Sequence, residues 1–115
     1  MRDVVAFKVL TADEMSALER DGGFAGSADD RRDGFIHLST AAQLTATVDK
    51  HYAGETNLHV AEVDLAALAD AVRWEQARGG DAFPHLYGDL PLDAVVAYSP
   101  LERDENGKVK HPVTG

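Results

Sequence analysis

Apolar residues recur along this chain with two periods, two and three-to-four. Val4-Val5-Ala6-Phe7-Lys8-Val9-Leu10 is a β-rich run of strand length. In Thr11-Ala12-Asp13-Glu14, the Thr11 hydroxyl can accept from the first helical turn while Glu14 reaches back to the Thr11 backbone. Met15 and Leu18 then share a helix face, and Gly22-Gly23 supplies the stop. Residues 24–33, with Ser27, Asp29-Asp30 and Arg31-Arg32, read as a polar surface connection.

Gly34-Phe35-Ile36-His37-Leu38 reads as a short apolar strand. Thr40 and Gln43 repeat the capping spacing. Leu44, Val48 and Tyr52 fall at i, i+4 and i+8, so a helix starting at Thr40 is predicted to run to about Tyr52 and to end at Gly54. Residues 58–63 form a third strand, and Asp64 caps a short Ala/Leu helix through Ala71. Val72-Arg73-Trp74-Glu75 is a brief strand with Val72 and Trp74 on one face and Arg73 and Glu75 on the other. Gly79-Gly80 breaks it. Phe83-Pro84-His85-Leu86-Tyr87-Gly88 reads as a loop, because Pro84 forces Phe83 into an extended conformation and Gly88 permits a turn. The last strand is Leu92 to Tyr98. The order predicts an α+β fold: one compact domain over residues 1–101, then a polar tail, 102–115, that frays.

Composition narrows the function classes. A chain of 115 residues with 44% hydrophobic residues suits one domain with its own core. It has no cysteine, which excludes disulfides, thiolate metal sites and cysteine nucleophiles, and fits a cytoplasmic setting. No apolar run approaches a membrane span, and the N-terminus lacks a signal-peptide pattern. A net charge of -9 repels nucleic-acid backbone and anionic membrane, leaving a small-molecule ligand as the expected partner. Five histidines are present, but none shows paired-ligand spacing, so no metal site is predicted.

Two segments carry candidate chemistry. His37 stands at the end of a strand just before Ser39 and Thr40, where a helix N-terminus and an imidazole can receive a hydroxyl, carbonyl or anionic group. The plainer account is a core histidine bonded to a nearby carbonyl. Phe83, His85, Tyr87 and Gly88 put two rings and an imidazole into six residues, which suits the wall of a small-molecule pocket or a rigid plug for the core. Glu75 beside Trp74 is a third candidate: a desolvated acid with a raised pKa, or a solvent-paired carboxylate.

These strings, His37 with Gly34-Phe35-Ile36-His37-Leu38-Ser39-Thr40, then Arg73-Trp74-Glu75, then residues 83–88 and Leu90-Pro91-Leu92, closely resemble domain-of-unknown-function family 952. The likeness runs in order from about Val5 to Leu101. It implies a bacterial cytoplasmic protein and no defined activity. More distantly, the family resembles the ADP-ribosyltransferase fold, which implies two small, mostly antiparallel sheets with two main helices and an NAD cleft between the sheets. By that resemblance His37 holds a ribose, Tyr52 or Tyr87 stacks on nicotinamide, and Glu75 bonds the ribose hydroxyl. Catalytic roles then fall on His37 and Glu75. Ser39, Thr40, Tyr52, Phe83, His85, Tyr87 and Gly88 are left to line the ligand. NAD would be a substrate rather than a bound cofactor. The alternatives are a non-catalytic nucleotide-like binding module and a protein-interaction domain without a pocket.

Overall fold

The computed structural model describes residues 4–76 and 79–112. Strand β1 (Val5–Thr11) is buried from Ala6 to Leu10 because it is covered on both faces. Ala6 and Leu10 pack with Met15 and Leu18 in one apolar cluster; Phe7 and Val9 pack with Leu44 and Val48 in a second. Helix α1 (Ala12–Asp21) starts as its spacing predicts. Thr11 Oγ1 accepts from Glu14 N at 3.1 Å and Glu14 Oε1 accepts from Thr11 N at 2.9 Å. Gly22 ends it at φ +75°.

Strand β4 (Leu58–Asp64) lies antiparallel between β1 and β8 (Val95–Pro100), making a three-stranded sheet in the order β1-β4-β8. A second sheet has the order β3-β6-β5, from β3 (Ile36–His37), β6 (Ala82–Leu86) and β5 (Val72–Gln76). A third, minimal pair joins β2 (Gly23–Phe24) to β7 (Leu90–Pro91). The described residues thus form an α+β domain with antiparallel sheets, three rather than the expected two. Its helices are α1, α2 (Ala28–Asp33), α3 (Leu44–His51) and α4 (Leu65–Leu68).

Four expectations are corrected. Residues 83–88 are not a loop: Phe83 to Leu86 lie in the central strand of the second sheet, and only Tyr87 and Gly88 lie beyond it. Pro84 sits one position beyond the last β3–β6 pair, His37 with His85, and its carbonyl still accepts from Leu38 N at 3.1 Å. Second, residues 24–33 are not merely a connection, since they contain the end of β2 and the whole of α2. Third, α3 begins at Leu44 and not at Thr40. Thr40 and Gln43 do bond reciprocally, at 3.0 and 3.2 Å, but around a preceding turn. Fourth, the segment after Leu101 folds back. Arg103 pairs with Val109, Val109 is buried in the second cluster, and its N–H donates to Thr45 Oγ1 at 3.0 Å. Residues 113–115 lie outside the described residues.

The β3-β6-β5 sheet has two unlike faces, as strand alternation requires. Ile36, Pro84 and Leu86 are buried, with Val72 and Trp74 packed against the first apolar cluster. The other face carries His37, Phe83, His85, Arg73 and Glu75, and it is this face that positions the site.

Candidate ligand cleft around His37

Asp30 organises the cleft. It is the third residue of α2, and its capping box with Ser27 fixes it: Asp30 Oδ2 accepts from Ser27 N at 3.0 Å, and Ser27 Oγ accepts from Asp30 N at 3.2 Å. The same Oδ2 takes the Lys8 ammonium at 2.8 Å. Asp30 Oδ1 accepts from the His37 backbone N–H at 3.1 Å and from His37 Nδ1 at 2.6 Å. Four donors therefore meet one carboxylate, which uses about all of its lone-pair capacity. Burial by itself pushes this carboxyl's pKa up, yet the His37 hydrogen bond, the Lys8 charge and hydrogen bond, and the Ser27 N–H together hold it well below the ordinary carboxylate range. An ionised Asp30 only accepts, so His37 Nδ1 carries the proton of that bond.

Lys8 is the partner that burial demands. Its side chain is 3% exposed and that of Asp30 is 2% exposed, so neither charge has water to fall back on. Lys8 Nζ also donates to the His37 carbonyl at 3.1 Å. These two contacts tie β1, α2 and β3 together beneath the imidazole. The His37 side chain remains 40% exposed, and its Nε2 lies 3.0 Å from Asp33 Oδ2.

Beside His37 the sheet carries an aromatic cluster. The Phe35 ring stacks on His85 at 4.0 Å between centroids, and it touches His37 and Tyr87 at 4.7 and 5.4 Å. Glu75 Oε1 accepts from Tyr87 Oη at 2.6 Å and faces His85 Nδ1 at 2.8 Å. Those two bonds lower the Glu75 pKa, the reverse of the desolvated, raised carboxyl expected beside Trp74, and the bond to Glu75 raises that of Tyr87. Arg73 sits 4.8 Å from the centre of the Tyr87 ring.

A cleft of about 720 Å³ opens between this sheet face, β1, α2 and α3. His37, Ser39, Tyr52, Phe83 and His85 line it. Thr40, Glu75, Tyr87 and Gly88 do not: Thr40 serves the turn before α3, Glu75 and Tyr87 bond one another on the sheet, and Gly88 borders a separate hollow of about 230 Å³ with Phe35 and Asp89. Ser39 Oγ is 2.8 Å from Thr47 Oγ1. The Tyr52 phenol is pushed up to about 12, first by burial and then by the carboxylates of Glu14, Asp30, Glu55 and Asp29. Asp30, Lys8, Asp33 and Phe35 are the participants that sequence reasoning passed over. Signals existed for two: the Ser27-to-Asp30 capping spacing, and a lysine inside an otherwise apolar strand. Among the described residues, no three His, Asp or Glu side chains converge to hold a metal ion, and no helix is long and apolar enough to cross a membrane.

The model of the family "protein of unknown function (DUF952)" matches residues 9–98. The chain belongs to the DUF952 family. It is also similar to protein CC0527 from Caulobacter crescentus. The crystal structure of CC0527 superposes with a TM-score of 0.84 at 38% identity, over 92% of this chain and 93% of that one. The solution NMR structure of CC0527 gives a TM-score of 0.79 at 38% identity, over 93% and 91%. No curated protein matches the chain. At this identity and coverage CC0527 supports the α+β architecture described above.

Proposed function

We propose that this DUF952 protein binds a small, hydroxyl-bearing molecule in the cleft, with His37 as the group that meets it. One observation carries the reading. The His37 ring is held from behind by a buried, ionised Asp30 and stands on the wall of a cleft whose volume suits a small ligand. Orienting an imidazole in this way fixes which nitrogen can address a ligand, here Nε2, with Asp33 as the group to be displaced or shared.

NAD and related ADP-ribosyl compounds are the ligands that the distant resemblance to ADP-ribosyltransferases suggests. His37 would meet a ribose hydroxyl, and Tyr52 is the tyrosine on the cleft wall, whereas Tyr87 is not. Binding without turnover is favoured over glycosyl cleavage on a specific ground: Glu75, the acid expected to assist cleavage, is engaged by His85 and Tyr87 and does not line the cleft.

Thermal unfolding with saturating NAD and nicotinamide riboside, together with an assay for released nicotinamide, tests both parts. Binding at 100-fold Kd stabilises by about 2.7 kcal/mol and raises Tm accordingly. The shift should vanish in His37→Ala, and no nicotinamide should appear. Steady nicotinamide release by the wild type would restore the enzyme reading. Failure of every ribosyl compound to shift Tm would remove the binding one.

A further inference from the structure

The cleft's charges discriminate among such ligands. Among its described lining residues are six carboxylates, Glu14, Asp29, Asp30, Asp33, Glu55 and Asp81, against only Lys8, Arg32 and Lys50 with fixed positive charge. The positive groups are mostly spent. Lys8 is sealed against Asp30, and Arg32 is held at 3.2 Å from Asp29 and 3.3 Å from Asp33. Glu55 and Asp81 are exposed and have no side-chain partner among the described residues.

A concave site walled by protein concentrates the field of its charges, so the cleft presents a negative potential to anything entering it. Its rings favour the same class of ligand. Tyr52 and Phe83 both line the cleft, and the negative faces of such rings attract cations. The Tyr52 phenol stands in the same field: burial first, and then the carboxylates of Glu14, Asp30, Glu55 and Asp29, raise its pKa.

We infer that the cleft selects a small organic cation carrying hydroxyl groups, and that the phosphate groups of a larger ligand are kept outside it. The inference rests on the proposed binding at His37 and adds the ligand's charge. For an NAD-type compound, the pyridinium riboside end would enter and the pyrophosphate would stay outside. A ribose hydroxyl would meet His37, while the cationic ring would sit among Tyr52, Phe83 and the exposed carboxylates Glu55 and Asp81. The net charge of -9 on the whole molecule favours the same sign of ligand, most at low salt.

Isothermal titration with three probes of matched ribose chemistry tests this: nicotinamide riboside (cationic), inosine (neutral) and ADP-ribose (anionic). The expected order of affinity is nicotinamide riboside, then inosine, then ADP-ribose, with the spread narrowing between 20 and 500 mM salt as screening shortens to roughly 3–5 Å. The double variant Glu55→Gln/Asp81→Asn should weaken the cationic probe about five-fold and leave inosine within about two-fold. ADP-ribose binding as tightly as the cation, with sensitivity to His37→Ala, would overturn the charge inference while leaving the cleft reading intact. If no probe binds, the cleft reading falls and the charge inference falls with it. Equal loss for inosine and the cation in the double variant would show that the two carboxylates shape the cleft rather than select charge, and would also overturn the inference.

Discussion

Removing the Asp30 carboxylate strands four donors at once: the backbone N–H groups of Ser27 and His37, the His37 imidazole and the Lys8 ammonium. Three would have to find water, and Lys8 cannot. Asp30→Ala is therefore expected to lower stability by about 3–5 kcal/mol, the scale for an uncompensated buried charge, read from the urea midpoint. Lys8→Met in the Asp30→Asn background should recover part of the loss, because two neutral side chains leave no orphan charge. An Asp30→Ala midpoint within error of the wild type would contradict the burial argument. The same carboxyl sets an acid limit. Its folded pKa lies below the unfolded value of about 3.9, so between the two the unfolded chain binds the extra proton and stability rises with pH. The contribution is complete above about pH 4 and drains away as acid carries the pH down through the folded value. Urea titrations at pH 5 and pH 3 should show a drop in the wild type that is smaller in Asp30→Asn. Asp30 itself was hard to read from sequence. Ser27 and Asp30 have capping spacing, yet nothing local says that this acid faces inward to residues 8 and 37.

The two capping boxes are alike in sequence and unlike in consequence, which is a matter of elements. Thr11 and Glu14 close the start of α1, whose partners in the core, Met15 and Leu18, are held by packing. Ser27 and Asp30 close the start of α2, a six-residue helix with no buried apolar residue of its own. Thr11→Ala and Ser27→Ala should each cost about 1 kcal/mol. Ser27→Ala should also weaken ligand binding, since losing the Ser27 cap loosens the helix that aims Asp30 and Asp33 at His37. Wild-type binding in Ser27→Ala, by titration with nicotinamide riboside, would mean that Lys8 alone suffices to hold α2 in place. Most elements announced themselves locally: β1 and α1 by periodicity and cap, β4 by its apolar run, α3 by the Leu44-Val48-Tyr52 stripe. Strand β6 did not. Pro84 made residues 83–88 read as a loop, yet it is accommodated in β6 one position beyond the last β3 pair, His37 with His85.

At the scale of the whole molecule, the C-terminal hairpin closes the second core cluster. Val109 and the His111 ring lie against that side of the domain, the ring 4.7 Å from Phe7. A chain ending at Leu101 should be measurably less stable, and Val109→Ala alone should cost about 1–2 kcal/mol in urea unfolding. Unchanged midpoints would show that the hairpin adds nothing to the core. By itself the sequence determined the α+β class, most of the helices and strands, the acidic surface and the choice of His37, Ser39, Tyr52, Phe83 and His85 as residues worth watching. Apart from Tyr52, which entered as a site residue only through the resemblance to ADP-ribosyltransferases, these follow from spacing and composition over a few neighbouring positions. Only the tertiary structure decided that there are three sheets, that Glu75 and Tyr87 bond each other away from the cleft wall, and that Lys8, Asp30 and His37 meet. The reason is physical: strand partners and buried charge pairs join residues far apart in the chain, and their geometry is set by how the layers pack, which no local pattern encodes.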